Sequence, residues 1–168
     1  MRKDALEWLN EEIGISSEEL HETDAYFGPC SFINLIHQLQ LEHTGADISF
    51  AAPLSFDSVI PKGKITVRDM FNLYRYENYL YTLRLSGKEI KDILELSYDR
   101  WTNTMQSADD HIMKLSYVLN NGQRLGFENL AFNFISAAGI RYEVDVTKPF
   151  GEKIRILELN DGRIFDLD

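Results

Sequence analysis

The stretch SFINLIHQLQLEHTGADISFAAP, residues 31–53, places an amphipathic pattern directly before a short apolar one. Apolar side chains recur at the three- and four-residue spacing of one helix face: Phe32, Leu35, Ile36 and Leu39. This spacing predicts a helix over residues 31–43. After Thr44-Gly45 the pattern changes, and residues 47–53 are predicted to form a short buried strand that Pro53 ends. The sequence therefore predicts a fold that contains both helices and strands.

Helix signals continue on both sides of this stretch. Upstream, one stripe is formed by Leu6, Leu9 and Ile13, and this first helix is expected to end at Gly14. Ser16-Ser17-Glu18-Glu19 resembles a capping box for a short second helical turn. Downstream, Thr66-Val67-Arg68-Asp69 is predicted to open a short helix. The clearest capping box is Ser86-Gly87-Lys88-Glu89, which predicts a helix running to Trp101.

Strand signals dominate the second half of the chain. Residues 79–85 alternate in the manner of a half-buried strand. Beyond residue 110 a β meander is expected, with strands at residues 115–119, 131–135, 140–146 and 153–159 and turns at Asn120-Asn121-Gly122 and Asn160-Asp161-Gly162. Helices come first and mostly antiparallel strands later, so the predicted class is α+β, with helices packed on a mixed, mostly antiparallel sheet.

Composition excludes several classes of protein. The chain has 168 residues, a mass of 19.5 kDa and a net charge of −10, with 44% hydrophobic residues. This composition is globular, and the length suits one domain. The acidity argues against nucleic-acid polymers as partners, because these bind Lys/Arg clusters. The sequence has no apolar run long enough for a membrane span and no signal-peptide pattern at its N-terminus.

Three features invite a catalytic or metal-binding interpretation, and each has a simpler one. Asp109-Asp110-His111 is a dense carboxylate–histidine cluster, but adjacent residues on one loop rarely converge on a metal, so a solvated loop is preferred. His37 lies on the predicted helix and is interpreted as a structural residue, not as a general base. Cys30 is the single cysteine, which excludes an intramolecular disulfide, and it is interpreted as a small apolar residue.

The stretch YRYENYLY, residues 74–81, is the most unusual in the sequence, with four tyrosines in eight residues. Each buried phenol needs a hydrogen-bond partner, so a core gains little from such a cluster. Aromatic rings on a surface bind flat ligands by stacking, and a nearby Asn can hydrogen-bond the edge of the bound ring. A stacking platform and ordinary packing with surface tyrosines both remain open.

Several motifs follow one another in a fixed order: FINLIHQLQ (32–40), TGADIS (44–49), APLS (52–55), GKITVRDMFNLY (63–74), YEN (76–78), LSGKEIKDILE (85–95), NF (133–134), GIRY (139–142) and VDVTKP (144–149). Together they resemble the C-terminal domain of the 5′-nucleotidase family, and most closely its 2′,3′-cyclic-nucleotide 2′-phosphodiesterase branch. The resemblance covers residues 25–168. Residues 1–24 are then expected to be a linker helix region leading from an N-terminal domain.

The resemblance implies a function for the whole protein. In that family the N-terminal domain is a calcineurin-like metallophosphatase that holds two divalent metals, and the C-terminal domain binds the nucleotide. Tyr76 is then expected to stack on the base of a nucleoside or nucleotide, and Asn78 to hydrogen-bond its edge. Pro53, Leu54 and Ser55 stand where the family has a loop of the substrate pocket. No metal or other cofactor is expected in this chain itself, and the parent protein is expected in the periplasm or at the cell surface.

The sequence also departs from the family pattern. No arginine follows the loop at residues 53–57, and the family's earlier phosphate-binding arginines align near Glu22 and Tyr26. A C-terminal segment that carries the family's second stacking aromatic has no counterpart before Asp168, so the domain is expected to be incomplete and inactive alone. The alternative is a non-catalytic interaction module that keeps the fold without binding a nucleotide.

Overall fold

The computed structural model describes residues 2–74, 76, 78–119 and 123–167. In these ranges the helices are α1 (Arg2–Leu9), α2 (Ser31–Thr44), α3 (Val67–Leu73) and α4 (Gly87–Trp101). The strands are β1 (Glu12–Ser16), β2 (Leu20–His21), β3 (Ser49–Ala51), β4 (Val59–Ile60), β5 (Gly63–Thr66), β6 (Leu115–Leu119), β7 (Gln123–Phe127), β8 (Ser136–Ala138), β9 (Ile140–Val144) and β10 (Ile154–Leu159). Short 3₁₀ turns occupy Glu22–Tyr26 and Ala131–Asn133.

The α+β class is confirmed. Over the described ranges, the strands form five separate antiparallel pairs: β1–β5, β2–β4, β3–β8, β6–β7 and β9–β10. The first two pairs are nested, because β2 and β4 both lie between β1 and β5 along the chain. Side-chain packing, in place of one continuous backbone ladder, therefore joins the pairs into a domain.

The predicted helix starts are confirmed by their caps. At α3, the backbone N–H of Thr66 donates to Asp69 Oδ2 at 2.7 Å, which is half of a capping box. At α4, Ser86 N–H donates to Glu89 Oε2 at 2.8 Å, and Glu89 N–H returns a bond to Ser86 Oγ at 3.3 Å. Helix α2 also begins at Ser31, as its periodicity predicts.

The expectation for the N-terminal segment is wrong in two places. Helix α1 ends at Leu9, and the residues predicted to complete it form β1 because they pair with β5. Ser16-Ser17-Glu18-Glu19 begins no helix. The Ser16 hydroxyl donates instead to the Glu18 carbonyl at 2.6 Å, and the Glu18 carboxylate accepts a hydrogen bond from Ser31.

Two predicted strands are wrong as well. Residues 79–85 have no assigned secondary structure. Residues 131–135 form a 3₁₀ turn and a short link, because Ile135 bonds to a helix: its N–H donates to Ser97 Oγ at 2.7 Å, and its carbonyl accepts from the same hydroxyl at 2.8 Å. Strand β7 was not predicted, and the turn at Asn120-Asn121-Gly122 lies outside the described residues.

Helix α4 lies at the centre of the packing. Its Trp101 is buried with Tyr26, Met113, Ala131 and Phe134, and its Ile90 and Leu94 are buried with Ile140 and Ile154. A third, separate cluster of buried side chains consists of Leu20, Phe32, Ile60 and Leu73. The first cluster joins α4 to the two 3₁₀ turns, the second joins α4 to β9 and β10, and the third joins α2 and α3 to the β2–β4 pair.

Candidate functional site

The end of helix α3 presents the tyrosine-rich segment at the surface. Leu73 is buried beside Phe32 and Ile60, which fixes the last turn of the helix. The helix then ends at Tyr74, whose N–H donates to the Met70 carbonyl at 2.8 Å. Leu73 is thus packed in the interior, while the described tyrosines that follow it are exposed: Tyr74, Tyr76, Tyr79 and Tyr81.

Beyond that end, Tyr76 is 53% exposed and Asn78 is exposed. The side-chain amide of Asn78 donates from Nδ2 to the Tyr74 hydroxyl at 2.5 Å. An amide also has a second N–H and an Oδ1 acceptor, for which the described part of the chain provides no hydrogen bond. The exposed Tyr76 ring and a partly satisfied amide are the chemical groups that stacking and edge recognition of a flat ring require.

A cleft of about 610 Å³ lies next to this segment. Its lining includes residues 47–50, which contain two of the three residues of β3, and residues 80–85. We call it the β3 cleft. The second of these stretches begins two positions after Asn78, although neither Tyr76 nor Asn78 lines the cleft.

Glu22 fastens the loop that contains Pro53, Leu54 and Ser55. Its side chain is buried, with 1% of the residue exposed. Oε1 accepts hydrogen bonds from the backbone N–H groups of Leu54 at 2.5 Å and Ser55 at 2.8 Å. Oε2 accepts from the Ser55 hydroxyl at 2.5 Å and from the Ser58 N–H at 3.3 Å. The backbone N–H groups and the serine hydroxyl of this loop could otherwise bind an anion. They donate instead to a carboxylate of the protein itself.

An aromatic cluster backs the same loop. Tyr26 donates from its hydroxyl to the Ser55 carbonyl at 3.1 Å. Its ring stacks against Phe56 at 5.5 Å and Phe127 at 5.8 Å between centroids. Burial, assisted by the charge of Glu22, raises the pKa of the Tyr26 phenol well above its ordinary value, so the hydroxyl stays a donor. Glu22 and Tyr26 thus place a carboxylate and a neutral phenol beside this loop.

His37 is a structural residue, as predicted. It is only 3% exposed and lies between Ser49 Oγ, 2.9 Å from Nδ1, and Ser136 Oγ, 3.2 Å from Nε2. Because the Ser49 hydroxyl donates to Gln40 Oε1 at 2.5 Å, it accepts from Nδ1–H, which fixes the tautomer. Burial lowers the pKa of His37 to about 4, so the ring is neutral near pH 7. The imidazole therefore ties α2 to β3 and β8.

Tyr98 and Tyr142 line a second cleft, of about 510 Å³, between α2 and the β8–β9 region. Their hydroxyls are 2.9 Å apart. Burial raises the pKa of Tyr98 well above its ordinary value. His37 also lines this cleft, but both of its ring nitrogens already have serine partners. One of the two phenols donates to the other, so their shared hydrogen bond uses only one of the two O–H groups.

Asp109-Asp110-His111 is a self-bonded loop. Asp110 Oδ2 accepts from the backbone N–H of Gln106 at 2.6 Å and of Ser107 at 2.9 Å, and these bonds lower the pKa of Asp110. His111 Nδ1 lies 3.1 Å from the Met113 carbonyl. Across the described ranges, no group of three or more His, Cys, Asp or Glu side chains comes together to hold a metal ion. The residues described do not fit the pair of metals that the resemblance implies for the parent protein.

The sequence predicts a role in binding for Tyr76 and Asn78, which stays a prediction, and it gives no sign of the role of Glu22. Nothing in its local sequence distinguishes Glu22 from the exposed acidic residues around it, because its partners are 32 to 36 positions away. Cys30 is half-buried and packs beside Phe32 and Ile33, in agreement with a small apolar role.

The sequence profile of the family described as "5′-nucleotidase, C-terminal domain" matches residues 12–168. Over 110 residues the chain is 32% identical to the trifunctional nucleotide phosphoesterase protein YfkN of Bacillus subtilis, a match that covers 64% of this chain and 7% of that protein. Over 97 residues it is 35% identical to the 2′,3′-cyclic-nucleotide 2′-phosphodiesterase/3′-nucleotidase of Salmonella typhimurium, which covers 58% of this chain and 13% of that protein.

Among solved structures, the fold is similar to that of a Staphylococcus aureus protein assigned as a 5′-nucleotidase and solved with α-ketoglutarate. The TM-score is 0.72 at 23% identity, over 99% of this chain and 31% of that chain. The chain thus spans a minor part of each of these three proteins. Among the residues that the structure describes, no helix is long and apolar enough to cross a membrane.

Proposed function

The chain belongs to the family of 5′-nucleotidase C-terminal domains, and from this premise we propose that it binds the nucleotide substrate of a larger, metal-dependent phosphoesterase. The larger protein hydrolyses phosphate esters of nucleotides, either 5′-nucleotides or 2′,3′-cyclic nucleotides. This domain supplies recognition of the base and is inactive alone. The named activities of the B. subtilis and S. typhimurium relatives support the substrate class.

The observation that carries the proposal is the Tyr76 ring, 53% exposed, two positions before Asn78. The Tyr74 hydroxyl, 2.5 Å from Asn78 Nδ2, orients the amide and leaves its Oδ1 and second N–H for a ligand. A base stacked on Tyr76 presents its hydrogen-bonding edge in the plane of the ring, where a neighbouring amide can meet it. Stacking of this kind contributes about 1–3 kcal/mol per base.

The electrostatics near Glu22 favour a nucleoside over a free phosphate. The loop N–H groups of Leu54, Ser55 and Ser58, which could otherwise hold phosphate oxygens, are bonded to the Glu22 carboxylate. With a net charge of −10 the chain also repels anions. We therefore assign the base and sugar to this domain and leave the phosphate to the metal-bearing part of the larger protein.

Calorimetric titration of the chain with adenosine tests the proposal. We expect Tyr76→Ala to weaken binding by about 5- to 150-fold, the equivalent of one stacking contact. Tyr76→Phe keeps the ring and is expected to retain binding within about twofold. Phe150→Ala is the matched control, because Phe150 is an aromatic residue of similar exposure outside the segment. Equal affinity in Tyr76→Ala and the unaltered chain would remove Tyr76 from the site.

Metal dependence belongs to the larger protein in this proposal. The two divalent metals of the family would polarise the phosphate ester in a metallophosphatase domain that precedes this one, while residues of this chain bind and orient the base. Hydrolysis of 2′,3′-cyclic AMP by this chain alone in the presence of Mn²⁺ would contradict the division of labour. The family resemblance further leads us to propose the periplasm or cell surface as the location, which fractionation of cells that express the parent reading frame tests.

A second candidate function is an interaction module that keeps the fold without binding a nucleotide. The buried Glu22 favours it, because a carboxylate stands near the positions where the family pattern has phosphate-binding arginines. The same titration separates the two candidates. The module is supported if neither adenosine nor AMP binds at millimolar concentration.

A further inference from the structure

The second cleft, of about 510 Å³, has a volume within the range of known small-molecule pockets. We call it the β8 cleft, because all three residues of β8 line it. Apolar side chains from α2, from β9 and from the loops around them form much of the lining: Ile33, Ile112, Ile140, Val144 and Val146. Its apolar walls favour a ligand that buries carbon atoms.

Aromatic rings form another part of the wall of the β8 cleft. Phe27, directly after the first 3₁₀ turn, lines the cleft and is 72% exposed. Tyr98 of α4 and Tyr142 of β9 also line it, with their ring centroids 6.1 Å apart and their planes at 66°. Aromatic side chains pack favourably against the face or the edge of another ring. These rings therefore favour a flat aromatic ligand over an aliphatic one.

One phenol O–H group in the cleft has no acceptor among the described residues. The hydroxyls of Tyr98 and Tyr142 are 2.9 Å apart and share a single hydrogen bond, whichever of them donates. The backbone N–H of Ala137 donates to the Tyr142 oxygen at 3.4 Å, so this contact uses no phenol proton. The pair thus has one proton left to donate, and a hydrogen-bond acceptor on a ligand would satisfy it.

The β8 cleft offers a ligand no free charge. The ring of His37 is neutral near pH 7, and its two nitrogens lie 2.9 Å from Ser49 Oγ and 3.2 Å from Ser136 Oγ. Arg141 forms an ion pair with Glu158 at 3.0 Å. Across the described ranges, none of the lining residues is an aspartate or a glutamate. An uncharged ligand therefore loses least when it leaves water for this cleft.

We propose that the β8 cleft binds an uncharged, flat aromatic molecule that carries a hydrogen-bond acceptor, either a ring nitrogen or a carbonyl oxygen. The acceptor receives the remaining O–H of the Tyr98–Tyr142 pair, and the ring packs against Phe27 and the apolar walls. Asn34 and Asn160 also line the cleft, and both are exposed. Their side-chain amides can hydrogen-bond polar substituents of the ligand.

Quinoline and naphthalene are the probes that test this proposal. The two molecules have nearly the same size and shape, but only quinoline has a ring nitrogen that accepts a hydrogen bond, and it is uncharged near pH 7. Titration of the chain with each probe, followed by NMR of the backbone amides, measures both the affinity and the location. We expect both probes to shift the amides of Phe27, Ala138 and Val144 and to leave the amide of Asn78 unchanged.

The double variant Tyr98→Phe/Tyr142→Phe removes both hydroxyls and keeps both rings. A single variant is not sufficient, because the hydroxyl that remains would still have a proton to donate. Loss of both partners of a hydrogen bond at once costs little stability, which a melting temperature checks. We expect the affinity for quinoline to fall by about 2- to 12-fold, the equivalent of one hydrogen bond, and that for naphthalene to stay within about twofold.

A second variant tests the location without touching the phenols. Asn34→Trp places a large side chain at an exposed position of α2 that lines the cleft, and it should prevent binding of both probes. Leu39→Trp is the matched control, because Leu39 is exposed on the same helix and does not line the cleft. This variant should bind both probes as the unaltered chain does.

The selective loss of quinoline affinity in the double variant, together with the loss of both probes in Asn34→Trp, supports the proposal. Equal falls for quinoline and naphthalene in the double variant would overturn the role of the phenol pair. Unchanged binding in Asn34→Trp, or no shift of the cleft amides by either probe up to its solubility, would overturn the site. Quinoline binding that Tyr76→Ala abolishes would place the probe at Tyr76 and overturn a separate site, whatever the affinity for adenosine.

Discussion

The buried carboxylate of Glu22 holds Ser55 through two atoms at once. The Ser55 N–H donates to Oε1 at 2.8 Å and the Ser55 hydroxyl donates to Oε2 at 2.5 Å. The 3₁₀ turn that contains Glu22 is thereby joined to a loop 33 positions further along the chain. A charged side chain in this setting is stabilising only while all of its donors are in place.

Glu22→Gln is expected to reduce the free energy of unfolding by about 3 kcal/mol, because an amide group turns one acceptor into a donor that faces other donors. Urea denaturation measures the change. Glu7→Gln, at an exposed glutamate, should change the value by less than about 0.5 kcal/mol. Equal effects in both variants would mean that the loop does not depend on Glu22.

His37 makes the free energy of unfolding decrease as the pH falls. Its pKa is about 4 in the folded chain against 6.5 for an ordinary histidine, and burial is the cause. The unfolded chain therefore takes up a proton on this ring between pH 6.5 and 4 that the folded chain does not. The free energy of unfolding should fall by about 3 kcal/mol as the pH decreases across that window, and the full stability is present above it.

The comparison with His37→Gln isolates this contribution, because the carboxylates of the protein titrate in the same range. The variant should show a smaller fall in the free energy of unfolding between pH 6.5 and pH 4. His43→Gln, at an exposed histidine, should behave like the unaltered chain. An NMR titration of the His37 ring with a midpoint near pH 6.5 would contradict the account.

Ser97→Ala should destabilise the domain by about 2 kcal/mol, because it leaves both the N–H and the carbonyl of Ile135 without a partner in a buried setting. Thermal or urea unfolding provides the measurement. Ser17→Ala, at an exposed serine, is the control and should be neutral. If Ser97→Ala were also neutral, the link between α4 and residues 131–135 would have to rest on apolar packing alone.

Gly139→Ala and Gly162→Ala form a matched pair, since both glycines have a positive φ, of 90° and 85°. A Cβ at residue 162 meets nothing within 4 Å, whereas one at residue 139 would lie 2.0 Å from the Asp47 carbonyl oxygen. Gly162→Ala should therefore cost about 1 kcal/mol of backbone strain, and Gly139→Ala about 4 kcal/mol or loss of folding. Melting temperatures of the two variants test the difference, and similar values would rule out the steric contribution at residue 139.

Local signals predicted the elements whose causes are local. The capping box at Ser86 and the helical spacing from Phe32 each involve neighbours a few positions apart, and both helices are present. Prediction failed where a distant segment decides the outcome. Gly14 and Ile15 belong to a strand because β5 pairs with them, and residues 131–135 are no strand because Ser97 takes the bonds of Ile135.

The same difference between local and distant causes applies to the candidate site. Tyr76 and Asn78 were predicted from a local motif, and their role in binding stays a prediction that the titrations above address. The Glu22 contacts and the β3 cleft could not be read from the sequence, because they join residues that only the tertiary fold brings together. Alternation in residues 79–85 predicted a strand that the structure does not have, because a strand forms only with a partner and a local pattern gives no information on one.

The pairing of β3 with β8 has a consequence for how the chain acquires its structure. Ala51 and Ser136 are in contact although they are 85 positions apart, so this pair closes a very long loop. During synthesis, β3 cannot pair with β8 until the ribosome has made most of the domain. Topologies with such separations reach the native state in milliseconds to seconds, as against microseconds for local helical folds. The edge of β3 is thus exposed for longest in the newborn chain, when a chaperone or a neighbouring nascent chain can reach it.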